Sequence, residues 1–158
     1  MVRAETLKVG DPAPNFTAAS SDGSQVELKS LIGKAPIVLY FYPIDDTPGC
    51  TKEACGLRDH FTAFRKLAAT VYGISYDSIE SHKKFIAKFN LPFALLSDKD
   101  HAIAKRYGAD GLLFAKRMTF VIDKTGKIAW INPNVDPSTH SQELEDVLTK
   151  LNGREAAL

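Results

Sequence analysis

The chain has 158 residues, a length suited to one domain, and the expected organisation is a single domain over residues 1–158. Hydrophobic residues make up 44% and charged residues 25%, enough to build a core, which excludes a disordered or fibrous chain. Twenty Lys+Arg against nineteen Asp+Glu leave a net charge of +1, with no basic footprint for nucleic acid and no polybasic membrane patch.

Taken in chain order, Gly10-Asp11-Pro12-Ala13-Pro14 is expected to be extended, because its prolines oppose a helix. Ser21-Asp22-Gly23-Ser24 reads as a hairpin turn between strands at Asn15–Ala19 and Gln25–Leu28. Ala35–Tyr42 is apolar without alternation, the pattern of a strand buried on both faces of a sheet. Pro43 ends it, a polar loop Ile44-Asp45-Asp46 follows, and a helix is predicted from Thr47, a competent N-cap with Pro48 at the first helical position. Its apolar stripe is Cys50, Ala54, Leu57, Phe61 and Phe64. Ala69–Ser75 is a second buried strand. Asp77 with Glu80 forms a capping box for a helix bearing Ile79, Phe85, Ile86 and Phe89 and closed by Pro92. A short strand Phe93–Leu96 and a short helix Ala102–Tyr107, ended by Gly108, come next. Arg117–Ile122 and Lys127–Ile131 form a hairpin around Asp123-Lys124-Thr125-Gly126. Ser138 or Ser141 opens a last helix whose inner face carries Leu144, Val147, Leu148 and Leu151. Buried parallel strands with crossover helices, then an antiparallel hairpin and a helix, describe an α/β thioredoxin-like three-layer sandwich. It has a central mixed β-sheet, an N-terminal β-hairpin and flanking helices.

No apolar run approaches the ~20 residues of a membrane span. The first fourteen residues lack the apolar region of a signal peptide and the bias of a transit peptide, so a cytoplasmic location is expected. There are only two cysteines, Cys50 and Cys55, and in a reducing compartment a close pair is more often catalytic or metal-binding than structural. Cys50 falls in the first turn of its helix, where free backbone N–H groups and the dipole favour an anion. A thiol there is expected to ionise readily and to act as a nucleophile. Thr47, three residues earlier, can bring its hydroxyl to the sulfur. The preceding strand places Cys50 at the C-terminal edge of the sheet, where open α/β sheets carry reactive sites.

Cys55 lies about 140° around the helix from Cys50 and ~7.5 Å along it, on a polar face with Arg58, Asp59 and Thr62. The two Cα atoms are then beyond the ~7 Å limit for a disulfide. Bridging requires the first turns to unwind, a change that Gly49 and Gly56 ease by roughly 1 kcal/mol each of lost helix propensity. A zinc site using Cys50, Cys55 and His60 is disfavoured, because ligands five apart on a helix point to different sides and no fourth ligand is in reach; no metal or other cofactor is expected. The spacing is also wrong for a Cys-x-x-Cys oxidoreductase. A thioredoxin-fold disulfide oxidoreductase and a non-catalytic redox-sensing module nevertheless remain open as rival classes.

Pro43-Ile44-Asp45-Asp46-Thr47-Pro48-Gly49-Cys50 resembles the peroxiredoxin pattern Pro-x-x-x-Thr-x-x-Cys, and Phe41–Asp59 with Cys55 is similar to the peroxiredoxin Q, or bacterioferritin comigratory protein, subfamily. Gly10–Phe16 and Arg117–Asp123 resemble the family's opening segment and its late strand with an active-site arginine, so the likeness runs from about Val9 to Leu151. The resemblance implies a thiol peroxidase acting on hydrogen peroxide and organic hydroperoxides. In it Cys50 is peroxidatic, Cys55 resolving, Thr47 and Arg117 hold peroxide and thiolate, and Pro43 shields the pocket. It also implies recycling by thioredoxin. Asp45 and Asp46 are read as loop solvation, since anions oppose a thiolate, and Arg58 as a solvated cation. Apolar Ile44, Leu113 and Phe114 near the site favour alkyl hydroperoxides. No long apolar surface stands out, so a monomer is expected.

Overall fold

A computed structural model describes residues 6–156 of the chain. Its strands are β1 (Thr17–Ser20), β2 (Gln25–Glu27), β3 (Ile37–Phe41), β4 (Thr70–Ser75), β5 (Ala94–Ser97), β6 (Met118–Ile122) and β7 (Ile128–Asn132). The helices are α1 (Leu28–Leu31), α2 (Pro48–Asp59), α3 (Phe61–Lys66), α4 (Ile79–Phe89), α5 (Ala102–Tyr107) and α6 (His140–Ala156). The strands form one seven-stranded mixed sheet in the order β2-β1-β5-β4-β3-β6-β7. β3 runs parallel to β4, and β4 to β5, while β6 lies antiparallel to β3 with Phe41 opposite Met118.

The unalternating apolar run of β3 acquires its meaning in the packing. Ile37, Leu39 and Phe41 enter one core, and Val38, Tyr40 and Tyr42 the other. The period of two in side-chain direction turns one strand into the partition between two hydrophobic layers. On the first side the core is closed by α1 and α5 through Leu28, Ile103 and Tyr107. On the second, α2, α3, α4 and α6 contribute Cys50, Leu57, Phe64, Phe85, Leu144 and Leu148. This is the expected three-layer sandwich with its N-terminal hairpin. No helix among the described residues is long and apolar enough to cross a membrane.

Several boundaries differ from the sequence reading for local reasons. Leu28 belongs to a short helix rather than to the end of β2. The predicted continuous stripe from Cys50 to Phe64 is split, because α2 stops at His60 (φ −96°, ψ 3°) and α3 restarts there. The Asp77–Glu80 capping box does not form. Ser78 is the N-cap of α4, accepting from the Ser81 amide at 3.2 Å, and Asp77 is occupied by Ser75 and the Asp45 amide. α4 closes at left-handed Asn90 before Pro92 is reached. Neither Ser138 nor Ser141 opens α6: the Thr139 carbonyl accepts from Glu143, and Ser138 bonds Asp136. The Gly10–Pro14 segment, expected to be extended throughout, opens in a turn at Gly10 (φ +97°), with the Asp11 amide on the Lys8 carbonyl, and docks on the start of β7, with Gly10 donating to Ile128 and Ala13 to Gly126.

One glycine in the sheet is dictated by contact. A Cβ on Gly73 in β4 would lie 2.7 Å from both Leu95 Cδ2 and Tyr40 Cζ, and 2.8 Å from the Tyr40 hydroxyl. Gly73 therefore makes the room in which the Tyr40 ring stands. Gly73→Ala is expected to destabilise the protein by about 1–3 kcal/mol, as overpacking of a tight core does. Urea titration should show a lower midpoint with an unchanged slope, and an unchanged midpoint would contradict this packing account.

Candidate active site

β3 delivers the chain to the C-terminal edge of the sheet, and the following loop is held tightly. The Tyr42 amide still bonds the Ile74 carbonyl. Asp45, expected to be solvated, is instead buried at 9% exposure. Its carboxylate accepts from Tyr42 Oη (2.5 Å) and Ser81 Oγ (2.8 Å) and lies 2.8 Å from His82 Nδ1, while its own amide donates to Asp77 (2.9 Å). His82 Nε2 lies 2.9 Å from the Leu96 carbonyl. The sequence reading missed this because, Tyr42 apart, the partners Asp77, Ser81 and His82 come from the β4–α4 loop and α4, more than thirty residues along the chain. Asp45, Asp77 and His82 converge within 4.8 Å, yet their polar atoms are engaged with one another and with neighbouring hydroxyls, which makes a closed hydrogen-bonded anchor. Asp46, by contrast, is exposed and pairs with Lys88 at 2.8 Å, as solvation predicted.

Pro43 is half-buried at the mouth of this loop. Thr47 is the N-cap residue of α2 with extended backbone (φ −99°, ψ 159°), but its side chain caps no amide. The hydroxyl donates to the Ile44 carbonyl at 3.0 Å. With its proton spent there, Thr47 keeps only lone pairs to offer, so it can accept from a protonated ligand and cannot donate to sulfur. The first intrahelical bond runs from the Thr51 amide to the Thr47 carbonyl, so the Gly49 and Cys50 amides precede it at the positive end of the helix.

Cys50 is 2% exposed, and its Sγ accepts from Arg117 Nη2 at 3.4 Å. Arg117 stands just before β6, opposite the end of β3, as the expected antiparallel pairing required. Its other terminal nitrogen donates to Glu53 Oε1 at 2.7 Å. Burial works against the Arg117 charge, but Glu53 and Cys50 outweigh it and raise its pKa above the ordinary value. A Cβ on Gly49 would approach Arg117 Nη2 to 3.0 Å, so this glycine leaves space for the guanidinium as well as lowering helix propensity.

Beneath this pair lie groups that sequence reasoning overlooked. The Glu53 side chain is fully buried, and its Oε2 lies 2.9 Å from Nδ1 of the fully buried His140. His140 Nε2 is in turn 2.8 Å from Thr119 Oγ1. Tyr40 stacks edgewise on His140, its hydroxyl without a hydrogen-bond partner. Burial first, then Glu53, Cys50 and Asp45, push the Tyr40 phenol well above its ordinary pKa, so it stays neutral. The available signal for Glu53 was its position on the buried side of α2 beside Cys50 and Ala54, where a charge needs a partner.

Cys55 does not join this group. It is free, half-exposed and on another side of α2, which is helical through both cysteines. Arg58 is not merely solvated, since Nη1 donates to the Phe89 carbonyl at 2.7 Å and ties α2 to the end of α4. His60 Nδ1 lies 3.1 Å from the Gly56 carbonyl rather than beside the cysteines. Leu112, Leu113 and Phe114 are 93%, 73% and 47% exposed, an apolar surface that the sequence reading had not anticipated.

A helix-start cysteine at the sheet edge, faced by a half-buried arginine, is an arrangement suited to thiolate chemistry on a small substrate. Comparison with known proteins agrees. Residues 9–131 match the AhpC/TSA family. The chain is 45% identical over 147 residues to a putative peroxiredoxin bcp of Coxiella burnetii, covering 88% of this chain and 97% of the relative. It is 44% identical over 146 residues to a chloroplastic peroxiredoxin Q of Oryza sativa subsp. japonica, covering 90% and 67%. Among solved structures, peroxidoxin BcpB of Mycobacterium tuberculosis superposes with a TM-score of 0.86 at 33% identity, covering 91% of this chain and 97% of that one. The bacterioferritin comigratory protein of Xanthomonas campestris, studied for alkyl peroxide reduction, superposes with a TM-score of 0.82 at 29% identity, covering 87% and 92%. The chain therefore belongs to the AhpC/TSA family, among the peroxiredoxin Q and bacterioferritin comigratory proteins, and is a peroxidase of that kind.

Proposed function

We propose that Cys50 is the peroxidatic cysteine, Cys55 resolves it as an intramolecular disulfide, and a thioredoxin-type dithiol restores both thiols. The observation that carries this reading is the 3.4 Å hydrogen bond from Arg117 Nη2 to Cys50 Sγ at the start of α2. The Cys50 thiolate attacks one oxygen of ROOH, the O–O bond breaks, and the departing alkoxide takes up a proton to leave Cys50–SOH and ROH. Arg117 supplies fixed donors to the charge that grows on the leaving oxygen, and Thr47 Oγ1 accepts from the hydroperoxide proton. The Cys55 thiolate then attacks the sulfur of the Cys50 sulfenic acid, the S–S bond forms as the S–O bond breaks, and the departing hydroxide takes up a proton and leaves as water. The external dithiol exchanges with that disulfide and becomes oxidised itself.

The half-buried Ile44 supports acceptance of organic hydroperoxides alongside hydrogen peroxide, and the Xanthomonas campestris relative points the same way. Reactive rather than structural cysteines suit a reducing compartment, taken here as the cytoplasm. The protein is read as a monomer, and sedimentation will weigh that against the exposed Leu112-Leu113-Phe114 surface.

Consumption of hydrogen peroxide with thioredoxin, thioredoxin reductase and NADPH tests the reading. Cys50→Ser is expected to abolish turnover, since a serine hydroxyl is far from ionised at neutral pH; turnover in that variant would end the assignment. Arg117→Ala is expected to slow single-turnover oxidation by roughly 10²–10³. It also strands the buried Glu53, so about 3–5 kcal/mol of stability should go with it. Arg117→Lys separates the two effects: it keeps a cation for Glu53 but loses the fixed fork that serves both anions. That variant should remain folded and still react slowly, and wild-type stopped-flow rates in it would remove Arg117 from the mechanism.

Resolution requires α2 to open, because both cysteines lie on one continuous helix. A Gly56→Ala change should stiffen that helix by up to roughly 1 kcal/mol. Gly56 also packs closely on α6, since a Cβ there would meet Ser141 Oγ at 3.3 Å. The comparison is therefore made in a Ser141→Ala background, where the remaining contact of 3.6 Å is ordinary. Gly56→Ala in that background should form the disulfide more slowly and inactivate at lower peroxide. Amide hydrogen exchange should show residues 50–57 losing protection on oxidation, and equal protection in both redox states would exclude the unwinding.

A further inference from the structure

Glu53 lies within the stretch proposed to unwind, between Cys50 and Cys55, hydrogen-bonded at one oxygen and in close contact with a histidine at the other. Oε1 accepts from Arg117 at 2.7 Å. Oε2 faces His140 Nδ1 at 2.9 Å, off the line of a straight hydrogen bond, and neither atom has a hydrogen-bond partner elsewhere. Both side chains are fully buried. A carboxylate only accepts, so Nδ1 is the ring nitrogen that carries a proton toward it, and Thr119 Oγ1 at Nε2 holds the ring in place (2.8 Å). His140 is also the first residue of α6, the helix that packs on α2 across Gly56 and Ser141.

We propose that His140 is a positioning residue for the peroxidase reaction, holding Glu53 so that Arg117 faces the Cys50 sulfur and α2 stays wound until the sulfenate has formed. The inference rests on the roles proposed above for Cys50, Cys55 and Arg117. It makes two demands of opposite sign. Releasing Glu53 from His140 loosens the one side-chain carboxylate bonded to Arg117 among the described residues, so the peroxide step slows. The same release removes one of two tethers opposing the exit of Glu53 from its pocket, so disulfide formation accelerates and over-oxidation needs more peroxide.

Three variants dissect the contact. His140→Asn keeps an amide N–H near the position of Nδ1, His140→Gln keeps a polar group near Nε2 but loses the donor to Glu53, and His140→Leu removes both. Each reduced protein is mixed with hydrogen peroxide in stopped flow, and the sulfenate and disulfide phases are followed separately alongside thermal unfolding. The peroxide step should slow about tenfold in His140→Gln and His140→Leu, less than the roughly 10²–10³ expected for removing an Arg117 donor itself. His140→Asn should stay within about threefold of the parent. The disulfide phase should be faster in His140→Gln and His140→Leu and near the parent in His140→Asn. If His140→Leu does not fold, the comparison of Asn with Gln decides. Equal rates in Asn and Gln, or slowing of both phases together in proportion to lost stability, would overturn the proposal. A parent enzyme that turns over without Cys50 would instead overturn the site reading on which it rests.

Discussion

Arg117 serves two acidic groups with one guanidinium, and the geometry of the site depends on that division. Glu53 has no solvent and Cys50 almost none. Two anions buried this close would repel each other and oppose ionisation of the sulfur. A planar cation with donors at fixed angles can lie between them and bond both in one set geometry, which the freely rotating ammonium of a lysine does not impose. The carboxylate also makes the arginine usable: its own burial disfavours the charge, and Glu53 restores it.

The surrounding fold is shaped to keep this triangle in place. The antiparallel register of β3 and β6 brings the residue before Met118 to the end of the strand that leads to Cys50. Gly49 withholds a Cβ where the guanidinium lies, and Gly73 withholds one where Tyr40 must stand beneath His140 and Glu53. These absences are as specific as any contact, because a methyl group at either place would displace an aromatic ring or the guanidinium beside Cys50.

The sheet strands, the placement of α2 and the positions of Cys50, Thr47 and Arg117 at the end of β3 were legible in the sequence, because each rests on local pattern: an apolar run, an N-cap with proline, a motif of fixed spacing; that the Thr47 hydroxyl would turn to the Ile44 carbonyl was not. Glu53, His140 and Asp45 were not. Each is a polar residue whose partners lie far away in sequence, at separations of 64 residues for Arg117–Glu53 and 37 for His82–Asp45. Periodicity registers such residues only as interruptions of an apolar stripe or as loop polarity. Burial inverts their meaning, turning a presumed solvated aspartate into an anchor. The break at His60 escaped for a related reason, since the apolar spacing continues through it and only the backbone angle changes.

The anchored Asp45 has a consequence for how far motion can spread. Its carboxylate and amide are fastened to the β4–α4 loop, α4 and the end of β3, so the peptide ahead of Thr47 is a fixed post. At the other end, α2 already terminates at His60, and α3 holds its own buried Phe64 in the core. A rearrangement of the cysteine-bearing turns is thereby bounded on both sides. The opening proposed for α2 would then involve a cassette of about a dozen residues, remodelled while the partition between the two hydrophobic layers is left untouched.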